Sequence, residues 1–325
     1  MVYKPSEIRT LSMLGQRGVF GFALNNLSAK NDKIIALSAD LRNTSGLDRF
    51  ADNYPDRFIN VGIAEQNMIG VAAGLADSGY IVFASTFANF AALRACEFVR
   101  HFMGYMCSSI NLVGLAAGFA MEYFGNTHYG IEDLSSLRAI SNLTIVTPAD
   151  GLETLKAVTA LVDYDSPTYL RLTGTTNTPV VYKNDFTFEI GKANLIKNGT
   201  EIALIACGGM VAHAVEASKI LETEGISCAV VDMHTIKPLD MDMLNELSSV
   251  RIIATIEEHS VIGGLGSAVA EFLSEKDNAP KLLRFGIMQK YKDAGSYRYM
   301  IEQHGLSPSQ IADRVVYAIN QQHYY

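Results

Sequence analysis

Cysteine is scarce and scattered: Cys96, Cys107, Cys207 and Cys228 are the four in 325 residues, with no C-x-x-C pair to suggest zinc or a redox dithiol. Apolar or small neighbours predict reduced core thiols of a cytoplasmic chain rather than a disulfide framework. A basic tract is also missing, and with a formal charge of −8 this argues against a nucleic-acid footprint. No apolar run reaches about 18 residues without a polar break, which argues against a membrane span. The opening MVYKPSEIRT lacks the layout of a signal peptide. Short-period repeats, low-complexity tracts and coiled-coil heptads do not occur.

Apolar residues make up 49% of the sequence and charged residues 18%, the balance of a well-packed globular protein of about two domains. Buried β-type runs alternate with amphipathic helical segments: IIALS at 34–38, a helix around 65–77, YIVFAS at 80–85, a helix near 89–103, INLVGLA at 110–116, LTIVTP at 143–148, a helix at 151–163 and TYLRL at 168–172. That alternation predicts a mostly parallel sheet with helices on both faces. It repeats from IALIAC at 202–207 through SCAVVDM at 227–233, RIIATIEE at 251–258 and a final helix after Pro308. The expectation is an α/β chain of two doubly wound domains, 1–178 and 199–325, joined by a polar, turn-rich connection at 179–198. ACGGMVAHAV at 206–215 and GGLGSAVA at 263–270 place glycines before helix starts, where an anion could sit. Neither has G-x-G-x-x-G spacing, so tight turns and close packing are the expected use.

One residue does not fit a plain packing account. Glu65 stands in RFINVGIAEQNMIGVAAGLA at 57–76, a helical run of small and apolar residues, and an unpartnered buried carboxylate is costly. Pairing with a nearby arginine is the simplest answer.

The neighbours supply another. The sequence from Pro55 to Ala76 is similar to the thiamine-diphosphate-binding pyrimidine domain of transketolases. The similarity continues through FASTFANFAA at 83–92, GNTHYGIEDLSSLRAI at 125–140 and LTIVTPADGLETLKA at 143–157. EEHSVIGGLGSAV at 257–269 and AGSYRYMIEQHGLS at 294–307 resemble the transketolase C-terminal domain, so the match spans nearly the whole chain. The resemblance implies that Glu65 hydrogen-bonds N1′ of the cofactor's aminopyrimidine and favours its 4′-imino tautomer, the base that activates thiazolium C2. It implies that the ring stacks on Phe87 and Phe90, with Asp40 and Ile63 also at cofactor-binding positions. His128 matches the family's active-site histidine, catalytic and substrate-binding. Arg171 and Thr44 match residues that contact a substrate phosphate.

Three features depart from the family. No G-D-G occurs, although the cofactor's diphosphate is held through Mg²⁺ bound by such a motif. The chain therefore resembles the C-terminal half of a split transketolase. The resemblance implies a separate N-terminal-half subunit carrying the G-D-G and the Mg²⁺ ligands, an α2β2 heterotetramer, and an active site shared between the two kinds of chain. Where the family reads D-G-x-T-H this chain has Phe124-Gly125-Asn126-Thr127-His128, and Ala116 replaces a phosphate-contacting histidine. The expected function is transfer of a two-carbon ketol or acyl unit from a ketose or 2-oxo donor to an aldehyde acceptor, with Phe124 meeting the donor. The β-subunit of a 2-oxo acid dehydrogenase's decarboxylating component and a catalytically silent α/β partner subunit remain alternatives.

Overall fold

The computed structural model describes residues 3–321. Twelve strands form two sheets: β1 (Ile34–Ser38), β2 (Phe58–Asn60), β3 (Ile81–Phe87), β4 (Ile110–Ala117), β5 (Thr144–Val146), β6 (Thr168–Thr173), β7 (Asn194–Lys197), β8 (Ile202–Ala206), β9 (Cys228–Asp232), β10 (Thr235–Lys237), β11 (Ile252–Ser260) and β12 (Lys281–Ile287). The first sheet runs β10-β5-β6-β4-β3-β1-β2 and the second β12-β11-β8-β9-β7. All neighbours are parallel except β10 against β5 and β7 against β9.

Successive residues of the parallel strands enter opposite cores. Ile34 and Ala36 of β1 and Ile202 and Leu204 of β8 belong to one buried apolar cluster, while Ile35 and Leu37 of β1 and Ala203 and Ile205 of β8 belong to the other. A sheet covered on both faces needs such unbroken apolar runs, and this is why each run is legible as a strand. Three of the four edge strands, β2, β7 and β10, are three or four residues long and carry no such pattern; the fourth, β12, is seven residues long. β10 completes the first sheet although it lies well into the second half of the chain, and β7 arises within the stretch expected as a connection.

The helix expected near 89–103 is instead two π-helical turns, Phe90–Arg94 and Val99–Tyr105, around a short α-turn at Cys96–Phe98. Departures of this kind mid-helix gather at functional sites. The two glycine turns are already occupied. Glu257 accepts from the N–H groups of Leu265 and Gly266, both at 2.8 Å, at the start of the helix Leu265–Ser274. Gly208 and Gly209 bond back to Thr147 and Thr173.

A buried polar cluster joins the halves. Tyr182 donates to Asp232 Oδ2 at 2.7 Å, with Glu153 Oε1 3.2 Å from the same hydroxyl. Burial raises both carboxyls, Asp232 to about 7, so the folded chain holds protons that the unfolded chain releases. The stability tied to the Asp232 proton is complete below about pH 4 and is lost as pH rises through about 7. Asp232→Asn keeps an acceptor for Tyr182 but has no proton to lose. Denaturant unfolding at pH 5 and pH 8 should show a smaller alkaline loss for this variant than for wild type. Equal losses would contradict this account of the cluster.

Candidate active site

In the first sheet the strand order reverses between β1 and β3, the point where ligands lie against the carboxyl ends of parallel strands. The residues leaving those ends have unusual backbones. Asp40 lies just beyond β1 with φ 60° and Ala116 is the penultimate residue of β4 with φ 52°, a conformation that costs a side-chain-bearing residue energy. Asn60 at the end of β2 fixes the Asp40 turn: its amide oxygen accepts from Asp40 N–H at 3.1 Å and its nitrogen donates to Asp40 Oδ1 at 3.1 Å. The same oxygen takes the Gly62 N–H at 3.0 Å, shaping the loop that delivers Ile63 and Glu65. Ile63 projects into solvent, 77% exposed.

Glu65 opens the helix Glu65–Asp77, where the positive end of the helix favours a carboxylate. Its side chain is 2% exposed. Oε1 accepts from Arg94 Nη1 at 2.6 Å, while Oε2 is buried with no hydrogen-bond partner among the described residues. The arginine pair is thus present on one oxygen, and the other is left as an unmet acceptor. An unsatisfied buried carboxylate oxygen needs an explanation, and a ligand donor is one.

Aromatic rings gather beside it. Phe87, at the end of β3, meets Phe90 edge-on at 5.8 Å between centroids. His128 lies 6.2 Å from Phe87, 5.6 Å from Phe90 and 5.3 Å from Phe124. The Asn89 side chain donates to the Thr127 carbonyl at 2.9 Å and anchors the loop carrying His128. Thr127 Oγ1 lies 2.9 Å from His128 Nδ1, directing the other ring nitrogen elsewhere. Phe124 is 67% exposed, an apolar side chain at the mouth of a polar loop.

Arg171 is a correction. It was expected at a substrate phosphate, but its side chain is 1% exposed and bound to Asp133, Nε to Oδ2 at 2.7 Å and Nη2 to Oδ1 at 3.1 Å. Nη2 also reaches the carbonyls of Gly130 and Glu258, both at 3.0 Å. A central strand of a sheet buried on both faces points its side chains into the cores, so β6 turns Arg171 inward between the two halves. Thr44 fares differently: it lines an open hollow with Arg17, Asn43 and Thr175. Burial lowers the Arg17 guanidinium's pKa, and among the described residues no carboxylate lies within 4 Å of it. Arg17 and Arg94 both escaped the sequence reading; each lies in an ordinary helical run, and only the fold places it beside a candidate residue.

Residues 13–177 match the family described as transketolase, pyrimidine binding domain, and residues 191–311 match transketolase, C-terminal domain. The chain belongs to the transketolase family. It is 38% identical over 304 residues to a putative transketolase C-terminal section of Methanocaldococcus jannaschii, covering 93% of this chain and 95% of that one. A 6-deoxy-6-sulfo-D-fructose transketolase subunit of a Clostridium species is 38% identical over 283 residues, 87% of each chain. Among solved structures, a split gene transketolase, described as an inactive beta4 tetramer, superposes with a TM-score of 0.84 at 40% identity, covering 94% of this chain and 98% of that one. This transketolase chain is therefore a transferase subunit, similar over its length to parts of divided enzymes, and thiamine diphosphate is the cofactor its family implies. No helix among the described residues is long and apolar enough to cross a membrane.

Proposed function

We propose that this chain is the pyrimidine-binding half of a divided transketolase, completed by a chain that supplies the G-D-G motif and the Mg²⁺ ligands in an α2β2 assembly. The observation that carries the reading is the buried, partnerless Oε2 of Glu65 beside the Phe87–Phe90–His128 cluster. A planar, weakly polar ring with an N–H edge fits that setting: the rings offer stacking surface and Oε2 an acceptor. Thiamine diphosphate, when bound, supplies the nucleophilic carbon and the electron sink. Glu65 holds a proton on ring N1′, strongly because its site is dry. Phe87 and Phe90 fix the ring plane, with Asp40 and Ile63 flanking it. His128 exchanges a proton with the substrate hydroxyl.

Phe124 removes a hydrogen-bond acceptor from the donor's path and favours a less hydroxylated donor. The anionic end of the substrate belongs in the Arg17–Thr44 hollow, where a half-buried cation lacks a counter-ion and a hydroxyl stands beside it. The same reading includes two domains, 1–178 and 199–325, and a cytoplasmic setting in keeping with four free thiols.

The test is transfer of a two-carbon unit from ketose donors to aldehyde acceptors by the chain with and without its partner. Activity should require both chains and thiamine diphosphate. Arg17→Met should raise KM for phosphorylated or sulfonated donors about 10- to 100-fold with kcat nearly unchanged. Activity only with a lipoyl acceptor would contradict the assignment, and an unchanged KM would remove Arg17 from the substrate site.

A further inference from the structure

Arg94 ends the π-helical turn Phe90–Arg94. Its Nη1 lies 2.6 Å from Glu65 Oε1, and its Cζ stands 4.0 Å from the centre of the Phe90 ring. Its side chain is 41% exposed against 2% for Glu65, so this is not a sealed core pair: the arginine has a route to water and the glutamate has none. A guanidinium is flat, presents N–H groups along an edge and stacks on aromatic faces. An aminopyrimidine has the same three properties. Arg94 therefore engages the carboxylate and one of the rings that the proposed function assigns to the cofactor.

We propose that Arg94 is a placeholder for the pyrimidine, seated on Glu65 and Phe90 in the cofactor-free chain and displaced into solvent when the cofactor enters. The inference rests on the functional reading above. Two physical arguments favour displacement over shared occupancy. A cation 2.6 Å from Oε1 neutralises the carboxylate and repels positive charge building on a protonated ring nitrogen, so a retained arginine opposes the task of Glu65. The guanidinium also covers Phe90, which a stacking ring needs bare. In the empty chain the pair has the opposite value: it spares Glu65 the penalty of lying buried and unpaired. A ligand that must wait for an occupied site to open binds more weakly by the fraction of time the site is open.

The experiment is equilibrium dialysis of thiamine diphosphate, with Mg²⁺ in excess, against the reconstituted two-chain complex. Binding is compared for wild type, Arg94→Met and Arg94→Lys, with a thermal melt confirming that each variant is folded. Arg94→Met removes the competitor and should bind the cofactor about three- to tenfold more tightly. Arg94→Lys keeps the charge but not the planar fork, and should fall between the two. Weaker binding by both variants would make Arg94 a retained ligand and overturn the proposal. Unchanged binding would take Arg94 out of the cofactor's path, with the same result. A wild-type complex that binds no thiamine diphosphate would instead overturn the functional reading, and the placeholder with it.

Discussion

Glu65→Gln should reduce turnover of the assembled enzyme by about 10³-fold while leaving the complex intact, within the usual range for loss of a positioned acid or base. Glutamine has nearly the shape of glutamate and still offers an amide oxygen, so packing at the start of the helix Glu65–Asp77 is preserved. What disappears is the negative charge that holds a proton on a ring nitrogen in a buried site. The Arg94 pair is lost as well, but that arginine is 41% exposed and can hydrate. Steady-state kinetics and sedimentation of the mixed chains separate the two effects. Undiminished activity in a correctly assembled variant would sink the mechanism.

The second large effect belongs to stability. Asp133 and Arg171 are fully enclosed, and Tyr169 donates a further hydrogen bond to Asp133 Oδ2 at 2.8 Å. Burial by itself raises the Asp133 carboxyl, but the Arg171 guanidinium and its hydrogen bonds outweigh burial and hold it below the ordinary carboxylate range. Arg171 also grips the Glu258 carbonyl, while Glu258 accepts from Phe119 N–H at 2.5 Å and Tyr297 Oη at 2.8 Å. A Cβ at Gly118, where φ is +69°, would collide with that carboxylate, so the close approach needs glycine. Asp133→Ala strands a buried guanidinium and should cost about 3–5 kcal/mol. Replacing both partners, Asp133→Leu with Arg171→Met, should restore much of that loss, because no uncompensated charge remains. Urea unfolding of the three proteins is the check, and a single-variant loss below about 1 kcal/mol would mean that the pair does not hold the halves together.

Legibility in the sequence followed burial. β1, β4, β6 and β8 are covered on both faces and announced themselves as apolar runs; β2, β7 and β10 are short strands at sheet edges and did not. The residues leaving the strand ends were legible through the family resemblance alone, since nothing in the spacing of Phe87, Phe90 and His128 separates a cofactor shelf from ordinary core. Arg171 was misread for a physical reason: in a fully covered sheet, a charged residue on a central strand points inward and finds a buried partner. Arg94 and Arg17 were missed because long side chains reach sites distant in sequence. Such placements, Arg94 on Glu65 and Arg17 in one hollow with Thr44, exist only once the chain has folded.

The central claim is that Glu65 and its aromatic neighbours form half of a site completed by another chain. Its most direct test is affinity capture of this chain from its host, with native mass measurement of the captured assembly and assay for thiamine diphosphate. The account predicts a complex of equal numbers of this chain and a G-D-G-bearing chain, with the cofactor bound. A self-assembly of this chain alone that binds no thiamine diphosphate, even when the cofactor and Mg²⁺ are supplied in excess, would contradict it.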